Sequence, residues 1–121
     1  MHGAILVVED EPIIRLDIGY FLRDRGYEVL EASSAQQAID MLKAGAEVAV
    51  VFTDVRMPGD LNGIDLVRYV RRNHPEIKTI ITSGHIQRSE LPRELGQLIE
   101  KPYRRRRVAQ LINEALSSGS S

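Results

Sequence analysis

The chain has 121 residues, enough for one domain that buries about two-thirds of the surface its unfolded form exposes, and its 43% hydrophobic and 27% charged composition is that of a globular protein. No apolar run approaches the roughly 20 residues of a membrane-spanning helix, and Met1 is followed by no signal-peptide pattern, so a cytoplasmic protein without a membrane partner is expected. Zero cysteines exclude disulfides, thiol catalysis and thiolate metal sites, and a net charge of -1 gives no global attraction to nucleic acid or anionic lipid.

Residues 4–8 (AILVV) are a continuous β-branched run, the pattern of a strand buried on both faces, and they open into Glu9, Asp10 and Glu11. Pro12 suits the first turn of a helix, whose apolar face carries Ile14, Ile18, Phe21 and Leu22 and which Gly26 ends. Tyr27 to Glu31 (YEVLE) alternates and is more polar, as an edge strand would be. Ser34 with Gln37 has the signature of a capping box, and Ala35, Ala38, Ile39 and Leu42 face inward from a second helix that stops at Gly45.

Val50 to Thr53, preceded by Val48 and Ala49, read as a second doubly buried strand, which ends at Asp54. The turn-rich MPGDLNG leads to a third helix with Leu66, Val67 and Val70 inward, stopping near Asn73-His74-Pro75. Ile77 to Thr82 (IKTIIT) is a fourth strand running into Ser83 and Gly84. Pro92 interrupts residues 85–96, which predicts a short or irregular fourth helix. Leu98 to Glu100 form a brief fifth strand ending at Lys101-Pro102, and Val108, Leu111, Ile112, Ala115 and Leu116 mark a final amphipathic helix before the flexible tail 117–121.

Strands alternating with helices through short loops imply a parallel α/β sheet, in which ligands bind past the carboxyl ends of the strands. Those ends carry Glu9-Asp10, Asp54, Thr82 and Lys101. Asp54 alone could equally cap the following helix. Three converging carboxylates, however, repel unless a proton or cation relieves them, and oxygen ligands with no His or Cys nearby suit a hard cation such as Mg2+. A lysine at the same rim can pair with a carboxylate and with an incoming anion, which points to phosphoryl chemistry. His2, His74 and His85 lack metal-ligand spacing; His74 is expected at the surface and His85 in the loop after Thr82.

VVEDEP, TDVRMP, TSG and KP, in that order at the ends of strands one, three, four and five, resemble the CheY-like receiver domains of two-component response regulators. The resemblance covers residues 1–116 and implies a flavodoxin-like (βα)5 doubly wound, five-stranded parallel sheet of order 2-1-3-4-5. It further implies that Asp54 accepts a phosphoryl group from a histidine kinase or phosphotransfer protein, and that the chain is a switch rather than a turnover enzyme. Asp10, Asp54 and the backbone carbonyl of Arg56 would hold Mg2+ directly, with Glu9 acting through water. Lys101 and the Thr82 hydroxyl would bind phosphoryl oxygens, and Arg56, Ser83 and Gly84 would modulate the site. A downstream protein, and a homodimer, are the other partnerships implied.

The chain departs from the family pattern in four places. Glu9-Asp10 stands for paired aspartates, the loop from Pro58 to Gly63 is one residue longer, and the stretch from Thr82 to Lys101 is shorter. Leu98 occupies the position of the usual switch aromatic, leaving Tyr103 as a substitute or as a core residue, and the segment from Gly84 to Gly96 as the expected mobile element.

Arg104, Arg105, Arg106 and Arg107 open the last helix against its dipole. They form either a solvated face or a docking surface for an acidic partner; no basic stripe or aromatic platform extends them toward nucleic acid. Three other classes compete. A haloacid dehalogenase-type phosphatase needs a second Asp where Arg56 stands. A pseudo-receiver would act by protein contact alone, against which the intact acids, Thr82 and Lys101 argue. A flavin carrier would want N–H groups and hydroxyls where the first loop is acidic.

Overall fold

The computed structural model of the chain describes residues 3–57, 59–84 and 91–118. In chain order the elements are β1 (Ala4–Val8), α1 (Pro12–Asp24), β2 (Val29–Ala32), α2 (Ala35–Lys43), β3 (Val48–Asp54), α3 (Gly63–Asn73), β4 (Lys78–Ser83), β5 (Gln97–Glu100) and α4 (Arg105–Ser118). The five strands pair in parallel in the order β2-β1-β3-β4-β5. All five therefore end along one edge, as the resemblance implied.

The two apolar strands are central because they must be covered on both sides. Ile5 and Val7 of β1 and Phe52 of β3 pack with Ile18 and Leu22 of α1 and Val108 and Ile112 of α4. The alternate residues Leu6, Val8 and Val51 pack with Ala38, Ile39 and Leu42 of α2 and Leu66 and Val70 of α3. Period-two strands thus hold two helices on each face, and each fully buried Leu or Ile contributes about 1.5–3 kcal/mol relative to exposure. Among the described residues no helix is long and apolar enough to cross a membrane.

Several local expectations are corrected. β2 starts at Val29 rather than Tyr27, because the Tyr27 N–H is taken by the Leu22 carbonyl at 3.2 Å to close α1. Ser34 does cap α2, its Oγ accepting from the Gln37 N–H at 3.0 Å, but the Gln37 side chain reaches Ser33 rather than closing the box on Ser34. The complete capping box is at α3, where Asn62 Oδ1 accepts from the Asp65 N–H at 3.0 Å and Asp65 Oδ2 from the Asn62 N–H at 2.9 Å.

Four α-helices, not five, are present among the described residues. Between β4 and β5 the described part holds only a 3-10 turn, Arg93–Leu95, after Pro92, and residues 85–90 of the expected short helix and mobile element lie outside the described residues. Gly96, at φ +128°, has no room for a Cβ against Thr79, whose hydroxyl donates to the Leu95 carbonyl. α4 continues through Ser118, so residues 117 and 118 of the expected tail belong to it.

Gly63 sets how close α3 comes to the end of β3. Its N–H donates to the Val55 carbonyl at 2.9 Å, and a Cβ there would collide with the Asp54 carbonyl oxygen. Gly63→Ala is therefore expected to lower the unfolding free energy by about 2 kcal/mol, an overpacking cost, in urea denaturation. An unchanged midpoint would show that this contact is not tight.

Candidate functional site

Each group at the rim is placed by the backbone of a strand end. The Glu9 N–H continues the β1 ladder to the Ala32 carbonyl at 3.0 Å, and its Oε2 accepts from the Glu11 N–H at 3.1 Å. Asp54, the last residue of β3, stands in register with Thr82 of β4, while the Lys101 N–H bonds the Ser83 carbonyl at 3.0 Å. Residues remote in sequence thereby meet. One carboxylate oxygen each from Glu9, Asp10 and Asp54 lie within 4.8 Å of one another, and Lys101 Nζ stands 2.8 Å from Asp54 Oδ2 and 3.6 Å from Glu9 Oε1.

Two of these groups are buried, Glu9 at 5% and Asp54 at 8% exposed, while Asp10 and Lys101 are half-buried. Burial above all, with Asp10 and Asp54 beside it, pushes the Glu9 carboxyl up to about 7, against the Glu11 N–H and Lys101. For Lys101, burial opposes the charge, but the hydrogen bond and charge of Asp54 and the charge of Glu9 more than offset it, so the ammonium is held above its ordinary range. Three carboxylates face one ammonium. The donor set is oxygen only, which fits a hard divalent cation.

The remaining sequence candidates divide. Thr82 is 1% exposed and its Oγ1 finds no hydrogen-bond partner among the described residues. Leaving such a group unsatisfied costs about 1–3 kcal/mol, so this hydroxyl is available to an incoming acceptor. The Arg56 N–H reaches Asp54 Oδ1 at a long 3.4 Å, and Ser83 is buried. Gly84 is exposed, and a Cβ on it would meet only Lys101 Cβ, at 3.7 Å. Leu98 packs with Val55, Val67, Ile81, Leu91 and Leu95. Tyr103 sits edge-on to Phe52, ring centroids 5.7 Å apart at 82°, within the α1/α4 core, and burial followed by the Glu9 charge pushes its phenol up to about 12. Core packing is thus the role its ring fills.

Arg104, Arg105, Arg106 and Arg107 are all exposed. Arg105 Nη1 pairs with Asp17 Oδ1 at 3.1 Å and its guanidinium lies over the Phe21 ring, 5.0 Å from the centroid, while Arg107 bonds Gln110 at 3.0 Å. His74 caps α3, 4.0 Å from Glu76, away from the rim, and His2 and His85 lie outside the described residues. Sequence reasoning missed Arg15, whose Nη1 donates to the Glu9 carbonyl at 2.9 Å. It also missed the Asn62–Asp65 box, for which the N-x-x-D spacing before an apolar run was the available signal.

Comparison with known proteins agrees with this geometry. Residues 5–113 match the family described as response regulator receiver domain. The chain is 35% identical over 119 residues to the sensor kinase CckA of Brucella abortus (strain 2308), a match covering 94% of this chain and 12% of that protein. The chain therefore spans only a small part of that relative. A response regulator receiver protein of Sinorhizobium medicae WSM419 superposes with a TM-score of 0.88 at 30% identity, covering 98% of this chain and 97% of that one. The response regulator protein TrrA of Thermotoga maritima, solved in complex with Mg(2+)-BeF, does so at 0.84 and 25% identity, covering 94% and 99%.

The raised Glu9 carboxyl has a consequence for stability. An acid whose folded pKa exceeds its ordinary value of 4.5 favours the fold while protonated, and that contribution is lost as pH rises from 4.5 to about 7. In EDTA, wild type is expected to lose on the order of 2–3 kcal/mol relative to Glu9→Gln across this window. Parallel stability–pH curves for the two proteins would contradict it.

Proposed function

The chain belongs to the response regulator receiver domain family, and on that premise we propose that Asp54 takes a phosphoryl group from the phosphohistidine of a kinase or phosphotransfer protein. The observation that carries this reading is the 2.8 Å pair between Asp54 and Lys101 in a cluster of three acids, two of them buried. A structural Asp at a strand end needs neither a paired ammonium nor two further carboxylates.

Asp10, Asp54 and the Arg56 carbonyl would hold Mg2+, with Glu9 reached through water. When bound, the cation supplies charge neutralisation for the oxygens of the transferring group. The chain's own residues do the rest. An Asp54 carboxylate oxygen forms the new bond to phosphorus as the bond to the donor imidazole nitrogen breaks, its electron pair leaving with the ring. Lys101 holds the carboxylate in place beforehand and pairs with a phosphoryl oxygen afterwards; Thr82, in register with Asp54, donates its free hydroxyl to another. Positioning and electrostatics then account for most of the rate.

The aspartyl phosphate brings close to two negative charges to the rim. Because Thr82 is followed directly by Ser83 and Gly84, drawing its hydroxyl inward pulls on the connection from β4 to β5, which is the switch element in this reading. Leu98 packs against Val55 and Ile81, so signalling here runs through that backbone rather than through a rotating aromatic ring. The phosphodonor would dock on α1 and the start of α4. Ile13, Leu16 and Tyr20 are 82%, 55% and 72% exposed on α1, and Arg104 and Arg105 line one cleft with Ile13. A downstream protein and a homodimer complete the proposed partnerships.

Incubation with Mg2+ and acetyl phosphate is expected to add the mass of one phosphoryl group to wild type and none to Asp54→Asn, with Lys101→Ala about 100-fold slower. Equal gain by Asp54→Asn would refute Asp54 as the acceptor. No gain by wild type, with the cation and a kinase supplied, would favour a phosphorylation-independent interaction module.

A further inference from the structure

Arg15, Gly19 and Arg23 stand four residues apart along one face of α1, beside Glu31 of β2. Glu31 Oε1 accepts from Arg15 Nε at 3.3 Å, and Oε2 from Arg23 Nη1 at 2.9 Å. The carboxylate fits between the two guanidiniums because Gly19 has no side chain: a Cβ there would lie 3.2 Å from Glu31 Oε2 and 3.4 Å from Arg23 Nη1. Glycine is unfavourable in a helix interior, so this slot is formed against helix propensity.

The two arginines then diverge. Arg23 Nη2 goes to the Val29 carbonyl at 3.1 Å, bracing α1 against β2. Arg15 Nη1 goes to the Glu9 carbonyl at 2.9 Å, which is the oxygen of the peptide joining Glu9 to Asp10. With the Glu9 N–H already on Ala32, both backbone groups of Glu9 are tied, and two of the three clustered carboxylates hang from a fixed peptide.

We infer that Arg15, held by Glu31, is a positioning residue that orients the Glu9–Asp10 peptide for a divalent cation, a role that Arg23 on the same carboxylate does not share. This rests on reading the Glu9, Asp10 and Asp54 cluster as a cation site. Groups that orient ligands from outside the coordination sphere typically change metal affinity 10–100-fold when removed. A brace on the peptide that joins two of the clustered acids acts in that way, by limiting how far they swing from their converged geometry.

The test is calorimetric titration of the full chain with Mg2+, with amide NMR shifts of Glu9 and Asp10, for wild type, Arg15→Met and Arg23→Met. Arg15→Met is expected to bind Mg2+ about 10-fold more weakly and to shift both amides before the metal is added, whereas Arg23→Met keeps wild-type affinity. Thermal melts of both variants show whether a shared loss of stability accounts for the difference. Wild-type affinity in Arg15→Met, or an equal loss in both variants, overturns the inference alone. A wild type that takes no Mg2+ overturns the cation-site reading and the inference with it. If Arg15→Met fails to fold, Glu31→Gln replaces it: weaker Mg2+ binding supports the brace and unchanged binding overturns it.

Discussion

Like charges held together at the end of a sheet are the constraint on which this molecule depends. Two unit charges about 4 Å apart interact by about 4 kcal/mol at the effective dielectric of a protein rim. Glu9, Asp10 and Asp54 bring three such charges within 4.8 Å, with Lys101 as the ammonium among them. Burial first, and then the neighbouring acids, push the Glu9 carboxyl up to about 7, while Asp54 and Glu9 hold the Lys101 ammonium above its ordinary range against its own burial. In the proposed reading such a rim would take a cation on its acids and an anion on Lys101 and the Thr82 hydroxyl, which has no partner among the described residues. Mg2+ and a phosphoryl group together would satisfy both.

The fold exists to hold that rim. Parallel pairing sends all the strand ends to one edge, and β1 and β3, buried on both sides, carry the acids at their exits. Around them the chain adds local fixings. Gly63 lets α3 approach the Asp54 carbonyl, the Asn62–Asp65 box starts α3 there, and Arg15 ties the Glu9 carbonyl to Glu31. Packing at Leu98 and Tyr103 fills the sites where the family's aromatic switch would be sought, one beneath α3 and the other against Phe52.

What was legible in the sequence was whatever a single strand or motif encodes locally. AILVV and VAVVFT announce doubly buried strands, and the acid, hydroxyl and lysine at the strand exits announce the site. Features decided by distant partners were not legible. Tyr27 alternates like a strand residue, yet its N–H is claimed by α1. Gln37 has capping-box spacing, but its amide oxygen accepts from both the hydroxyl and the N–H of Ser33. Arg15 looks like any exposed helical arginine until β2 places Glu31 beside it, and Gly19 looks like a helix defect until the carboxylate needs its space. The stretch before β5 reads as a weakened helix because of Pro92, and its described part is indeed one 3-10 turn.

The central claim, that acids at this rim are held at an energetic cost which a divalent cation removes, is tested most directly by urea unfolding at neutral pH across a Mg2+ series. The account predicts that the unfolding free energy climbs with Mg2+, reaching about 2.7 kcal/mol above the EDTA value at a hundred times the dissociation constant. A stability that stays flat across the whole series would contradict it.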